Sequence, residues 1–271
     1  ASLCPDPRQD VSSYEGPFAS LTNCYVNGDC TSDYPDISCW NTAGITDMNY
    51  AFSGNPFNDP LKCWDVGLVT AMDRMFNSAV SFNQPLDTWN VSQVEDMSDM
   101  FNNARRFNQS IDSWDVSQVE NMDEMFFSAI SFNQPLDSWN VSQVDDMSGM
   151  FSRATSFNQP IDTWDVSQVY YMTIMFFEAT SFNQCLSTWA EKTSGYVDTN
   201  YLLYGTDCPN EYATIGPWCQ DNTQGCFAPG FGTPTGAPTG TKNPNECNNV
   251  NESDFRFKGK SCSKYLKKKT E

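Results

Sequence analysis

Between residues 57 and 189 the apolar positions recur in one fixed order. In the stretch FNQPLDTWNVSQVEDMSDMF, residues 82–101, they fall at Phe82, Leu86, Trp89, Val91, Val94, Met97, Met100 and Phe101, and polar residues occupy almost all the rest. Trp64, Trp89, Trp114, Trp139, Trp164 and Trp189 keep a step of 25 residues, as do Met75, Met100, Met125, Met150 and Met175. A constant period of this size marks stacked supersecondary units, because one such unit cannot bury its own apolar side. Within a unit, LDTWNVSQV follows the pattern LxxLxLxxN, which predicts a short parallel strand over 89–91 with Trp89 and Val91 turned inward. Val94, Met97 and Met100 with Phe101 then recur at three and seven, the spacing of a helical stripe. FNQP turns the chain back, with Phe107 plugging the coil and Pro85, Pro135 and Pro160 stiffening the corner. The expected architecture is an α/β repeat solenoid of 25-residue coils, with short parallel strands and short helical or irregular convex segments.

The same template, slid toward the N-terminus, places the first coil near residue 37: ISCWNTAGI matches the segment that starts at Leu86. ITDMNYAFSGNPFNDPLKCW, from Ile45, matches the coil that starts at Val69 if one residue is deleted. After Trp189 the pattern dies in AEKTSGYVDTNYLLYG. The expected organisation is a Cys-rich cap over 1–36, a solenoid over 37–190 and a second Cys-containing cap over 191–227. A Pro/Thr/Gly linker follows over 228–246, of a composition often O-glycosylated, and then a basic Cys-containing tail over 247–271.

Charge narrows the partners. The 271 residues carry 15 basic and 34 acidic side chains, a net charge of −19, which disfavours nucleic acid and anionic membranes. No run of 18 apolar residues is present to insert in a bilayer. The chain has no histidine, which removes Ser-His-Asp catalysis and His-based zinc sites. Its eleven cysteines avoid the stretch 64–184 and cluster at the ends, as disulfide staples on caps formed in an oxidising compartment do. With Ala1 read as the start of a processed chain, the expected location is secreted, extracellular or at the cell surface. Cys39 and Cys63 share one template position in adjacent coils, so strands stacked ~4.8 Å apart would bring them within disulfide reach. Cys247 and Cys262 form a second expected pair.

Three polar rows run through the repeats. Asn58, Asn83, Asn108, Asn133, Asn158 and Asn183 never vary, and amides stacked coil on coil predict an asparagine ladder bonded to neighbouring backbone. The position after Trp alternates as Asp65, Asn90, Asp115, Asn140 and Asp165, which keeps carboxylates two coils apart and limits like-charge repulsion. This row is either a solvated face or a binding face for sugar or Ca²⁺. Asp87, Asp112, Asp137 and Asp162 stack in every coil, as turn caps or as further Ca²⁺ ligands; no other cofactor is expected. An identical acid in every coil gives every site one environment, whereas a glycosidase acid/base pair needs two different pKa values. Asn90, Asn108, Asn140 and Asn251 begin N-x-S/T sequons; Asn90, Asn140 and Asn251 are the expected glycan acceptors, with Asn108 reserved for the ladder.

The motif W[DN]VSQVxxMxxMFxxAxSFNQPLDxW resembles the BspA-type leucine-rich repeat of bacterial, protist and algal surface proteins, over residues 37–190. CNNVNESDFRFKGKSCSKYL resembles a Cys-containing C-terminal motif of secreted diatom and other stramenopile proteins. The resemblance implies a leucine-rich-repeat solenoid for surface display, adhesion or extracellular structure, and supplies no catalytic residues. Two classes follow: a non-enzymatic structural subunit of a cell-surface or filamentous assembly, or an adhesion module that binds glycans or proteins. A carbohydrate-active enzyme is the weakest third. Residues 252–271 hold seven basic and three acidic side chains (+4), leaving −23 on the remainder. Self-assembly would then bring Phe255, Phe257, Lys264, Tyr265, Lys267, Lys268 and Lys269 against acids of another copy. The acids expected there are Asp96, Glu120, Asp145 and Asp146, or Asp115 and Asp165.

Overall fold

The structure, a computed structural model, describes residues 9–11, 16–29, 36–193, 197–212 and 218–219. Cys247, Cys262, Asn251 and the tail residues named above lie outside the described residues.

Between Asn41 and Trp189 the described chain forms neither helix nor extended strand. The apolar spacing of three has another origin. Leu86–Trp89, Val91–Val94, Met97–Met100, Phe101–Ala104 and Ala104–Phe107 each bracket one turn, closed by the N–H of the second residue on the carbonyl of the first at 2.9–3.2 Å. A helix would need the intervening N–H groups to bond four residues back. Instead they leave the coil: Met97, Asp99, Phe101 and Asn103 donate to the carbonyls of Asn121, Asp123, Met125 and Phe127 in the next coil, at 2.6–3.0 Å. Left-handed backbone at Asp99 and Asn103, φ 55° at both, supplies the positive φ that the third residue of a type II turn requires. The helical stripe expected over 94–101 is therefore a ribbon of turns, and the ladder sits there rather than at 89–91.

This ladder is parallel and continuous. Asp47, Ala71, Asp96, Asn121, Asp146, Tyr171 and Asp198 bridge one to the next. Its last member belongs to a coil the sequence pattern does not announce. Residues 197–205 lack the Met-Phe signature, yet Phe176 donates to Leu202 at 2.9 Å and Leu202 and Leu203 are buried. The repeats run past Trp189 into the stretch expected to be cap.

Inside the coils the rings stack in columns. Equivalent rings lie nearly parallel, so their centroid separation gives the coil-to-coil step at that point. The step is 5.4–5.7 Å along Phe52, Phe76, Phe101, Phe126, Phe151 and Phe176, the column that follows the ladder in sequence. It is 6.0–6.2 Å along Phe57, Phe82, Phe107, Phe132, Phe157 and Phe182. Between stacked tryptophans it reaches 6.2–6.5 Å. Each coil is thus thinner at its ladder than at its Trp edge. From Trp64 to Trp189 each repeat Trp also donates its indole N–H to a carbonyl of the preceding coil, as Trp114 does to Leu86 at 3.0 Å, so these large buried rings leave no polar atom unmet.

The wedge explains a correction. Cys39 is disulfide-bonded, but Cys63 carries a thiol, so the expected Cys39–Cys63 bond does not form. The register behind that expectation holds, because Trp40 stacks on Trp64 and Trp64 donates to the Ile37 carbonyl at 2.7 Å. The spacing does not. The two cysteines sit on the wide edge, where no strand ladder holds adjacent backbones at ~4.8 Å. In this row the side chain reaches diagonally, as Ser113 Oγ does to the Asp87 carbonyl at 2.8 Å.

Added elements pack on both ends of the coils. Helix α1 (Phe18–Asn27), closed by left-handed Gly28, sets Phe18 edge-on against Trp40 and Trp64. Thr22 on its inner face donates to the Ala51 carbonyl. Strand β1 (Gln9–Asp10) pairs in parallel with β2 (Trp40–Asn41). At the other end α2 (Trp189–Lys192) places Lys192 Nζ on the carbonyls of Asp162 and Trp164, at 3.1 and 2.9 Å. A Cys208–Cys219 disulfide, Cα atoms 4.9 Å apart, sits beside the antiparallel Leu186–Trp218 bridge. No described helix is long and apolar enough to cross a membrane.

Candidate functional site

The asparagines of FNQ form one bonded column. Asn58 Oδ1 accepts the backbone N–H of Asn83 at 2.8 Å, and the same contact recurs from Asn83 to Asn183 at 2.9 Å. The glutamine that follows reinforces it: Gln134 Nε2 donates to both the carbonyl and Oδ1 of Asn108, at 3.1 and 3.0 Å. The column is partly open to solvent rather than deeply buried. Its amides are committed to holding coil on coil.

The row after Trp is exposed, and its side chains are spent on local turns. Asp65, Asn90, Asp115, Asn140 and Asp165 each accept, through Oδ1, the backbone N–H two residues on, at 3.1–3.2 Å. Bonds from the hydroxyl and N–H of Ser117 hold the Asp115 carboxyl below its ordinary range. Asn90 and Asn140 are exposed and their Nδ2 atoms donate to no described group, the state a glycan acceptor requires. Asn108 is bonded into its column. Asp112 and Asp162 bind the coil that follows them: Ser138 Oγ meets Asp112 Oδ1 at 2.7 Å, and the Thr188 N–H meets Asp162 Oδ1 at 2.9 Å. Among the described residues no three acids or cysteines converge as metal ligands.

A denser acidic cluster lies on the ladder, in rows the sequence reading did not single out. Asp73 and Asp123 occupy one row two coils apart, and Asp99 and Glu124 occupy the next row in adjacent coils. Arg74 bonds Tyr50 Oη at 2.6 Å and Asp99 Oδ2 at 2.8 Å, while Asn102 Nδ2 bridges Asp99 and Glu124 at 2.6 and 2.9 Å. Asp123 stands beside this network. Burial first, then the charges of Asp146, Glu124 and Asp99, push its carboxyl up to about 7. Burial and the neighbouring Asp96 also raise Asp73. Alternation of acid with serine along this row is visible in the sequence, but the burial that raises the pKa is not.

Exposed aromatic rings gather near the last coils. Tyr170, Tyr171 and Tyr201 are 50, 54 and 40% exposed, and Tyr212 is 74% exposed. Tyr204 stacks on Phe177 at 5.5 Å and meets Tyr201 and Tyr212 edge-on.

The family described as "Mycoplasma protein of unknown function, DUF285" matches residues 20–129 and 108–214, overlapping spans that together take in most of the chain. No curated protein and no solved structure matches it.

Proposed function

The chain belongs to the DUF285 family, and we propose that it is a non-enzymatic, secreted structural protein, a subunit of a cell-surface or filamentous assembly. In this reading it is a leucine-rich-repeat solenoid of the BspA-like surface type. One observation carries the proposal: the repeated asparagine column and the row after Trp are spent on coil-to-coil bonds and turns, in the same environment from coil to coil. Such rows serve length and rigidity. Catalysis needs unlike neighbours around one centre. The charge split between the −23 body and the +4 segment 252–271 favours contact between copies that open-endedly repeats.

A second reading, adhesion to glycans, is favoured by the tyrosines exposed around Tyr171 and Tyr212, since aromatic faces stack on sugar rings. Electron microscopy of the full chain at rising concentration separates the two. Repeating polymer is the expected image; monodisperse monomers that bind glycans through the tyrosine patch would replace the first reading by the second.

A further inference from the structure

The ladder ends unevenly. Each interior coil accepts N–H groups from the coil before it, as Asp96 and Ser98 accept from Met72 and Arg74 at 3.1 and 2.9 Å. It also returns one: Glu95 donates to the Thr70 carbonyl at 2.9 Å. In the first coil the same positions are the carbonyls of Asp47 and Asn49 and the N–H of Thr46. Helix α1 covers the neighbouring Ala51 carbonyl through Thr22 but stops short of them. Among the described residues nothing hydrogen-bonds to these three groups. They border an open groove of about 510 Å³ lined by Pro17, Phe18, Ile45, Asp47, Asn49 and Tyr50, with the Tyr50 ring 44% exposed. A turn-ribbon edge with open ladder groups, beside a groove of mixed apolar and polar lining, can accept an added segment that supplies the missing hydrogen bonds.

We propose that this edge receives residues 253–258 of a second copy as an added parallel rung of the ladder, a contact that rests on the assembly reading above and names its receiving site. The ladder fixes what an occupant must offer: a carbonyl for Thr46, then N–H groups two and four residues further on for Asp47 and Asn49. Ser253, Phe255 and Phe257 provide these three groups in register. The segment SDFRFK alternates apolar with polar or charged residues, the period of a half-buried strand. In this register Phe255 takes the ladder position that Met48 holds in the first coil and Phe257 the position of Tyr50. No proline occurs after Pro244, so every residue of the segment keeps its N–H, whereas the linker before it holds four prolines over 228–246. The more than 30 residues between Cys219 and Ser253 reach roughly 100 Å when extended, ample to span to a neighbour. Charge favours the occupant: the segment, net +1, lies in a tail of net +4 and would meet an acidic body of another copy.

The test uses an equal mixture of ¹⁴N- and ¹⁵N-labelled full chain, zero-length carbodiimide crosslinking and mass spectrometry. Heavy-to-light crosslinks from Asp47 to Lys258 or Lys260 are expected, and they should vanish in the F255S/F257S double variant. In sedimentation, R256E/K258E should weaken self-association about tenfold, and adding Asp47→Lys should recover most of that loss. If the chain assembles but its tail crosslinks only to ladder acids such as Asp96 or Asp146, this docking site is wrong and the assembly reading stands. Asp47 crosslinks confined to one chain would overturn the second-copy occupant. A chain that stays monomeric at every concentration overturns both readings.

Discussion

At the residue scale, two kinds of side chain sit at a cost that the repeats impose. The first is Asp123. Its folded pKa is about 7 against an ordinary 3.8, so the folded protein holds a proton through a range where the unfolded chain has lost it. The unfolded state binds fewer protons there, so stability falls as pH rises from about 4 to 7 and is level beyond. Solvent screening around a half-buried carboxyl limits the loss to about 1–2 kcal/mol. Asp123→Asn should therefore unfold at a higher temperature than the parent at pH 8, and at nearly the same temperature at pH 4. Equal curves at both pH values would place the proton elsewhere. The second kind is the row with left-handed backbone at Arg74, Asp99, Glu124, Gly149 and Ile174. Only one member is glycine. A β-branched residue at φ 54°, as Ile174 is, costs roughly 1–2 kcal/mol over the right-handed form. Ile174→Gly should raise stability by about 0.5–1 kcal/mol in urea titration, net of glycine's greater chain entropy.

At the scale of the element, the load rests on columns rather than on helices or strands. Trp114 is 3% exposed, stacks on Trp139 at 6.5 Å and donates to Leu86. Trp114→Ala removes a ring that two coils share and should cost ~3–5 kcal/mol, read as a lower urea midpoint. A variant as stable as the parent would show that the Trp edge is not where the coils are held. Trp, Met, Phe and Asn were legible because each repeats at a step of 25 and each repeats a physical role. The ladder was not. An apolar residue every third position satisfies a helix and a run of turns equally, and the two differ only in where the intervening N–H groups go. That destination is the neighbouring coil, which no single repeat can display. The Cys39–Cys63 pair fails for the same reason: the close spacing it needs belongs to the ladder side of the wedge, and both cysteines sit on the Trp edge. The acids around Asp123 were out of reach for a related reason, since burial depends on which side the ladder takes.

At the scale of the whole molecule, coils that touch only their neighbours make the two ends the decisive places. The C-terminal end draws on a disulfide and Lys192, whereas the N-terminal ladder edge is only partly covered by α1. Charge distribution adds direction. Seven basic side chains in the last 20 residues face a body of −23, and each exposed ion pair contributes only about 0–1 kcal/mol. If copies associate through the tail, as proposed, Phe255, Phe257 and Tyr265 would supply most of the burial, with the lysines steering the approach. Self-association should therefore weaken only partly as NaCl rises from about 0.05 to 0.5 M, because salt screens the lysines and leaves apolar burial intact. Deleting residues 246–271 should abolish it, with the Trp fluorescence of the remaining chain unchanged. Light scattering across both series decides the matter. Association that collapses in salt would make the contact purely ionic, and association that survives the deletion would transfer it from the tail to the faces of the coils.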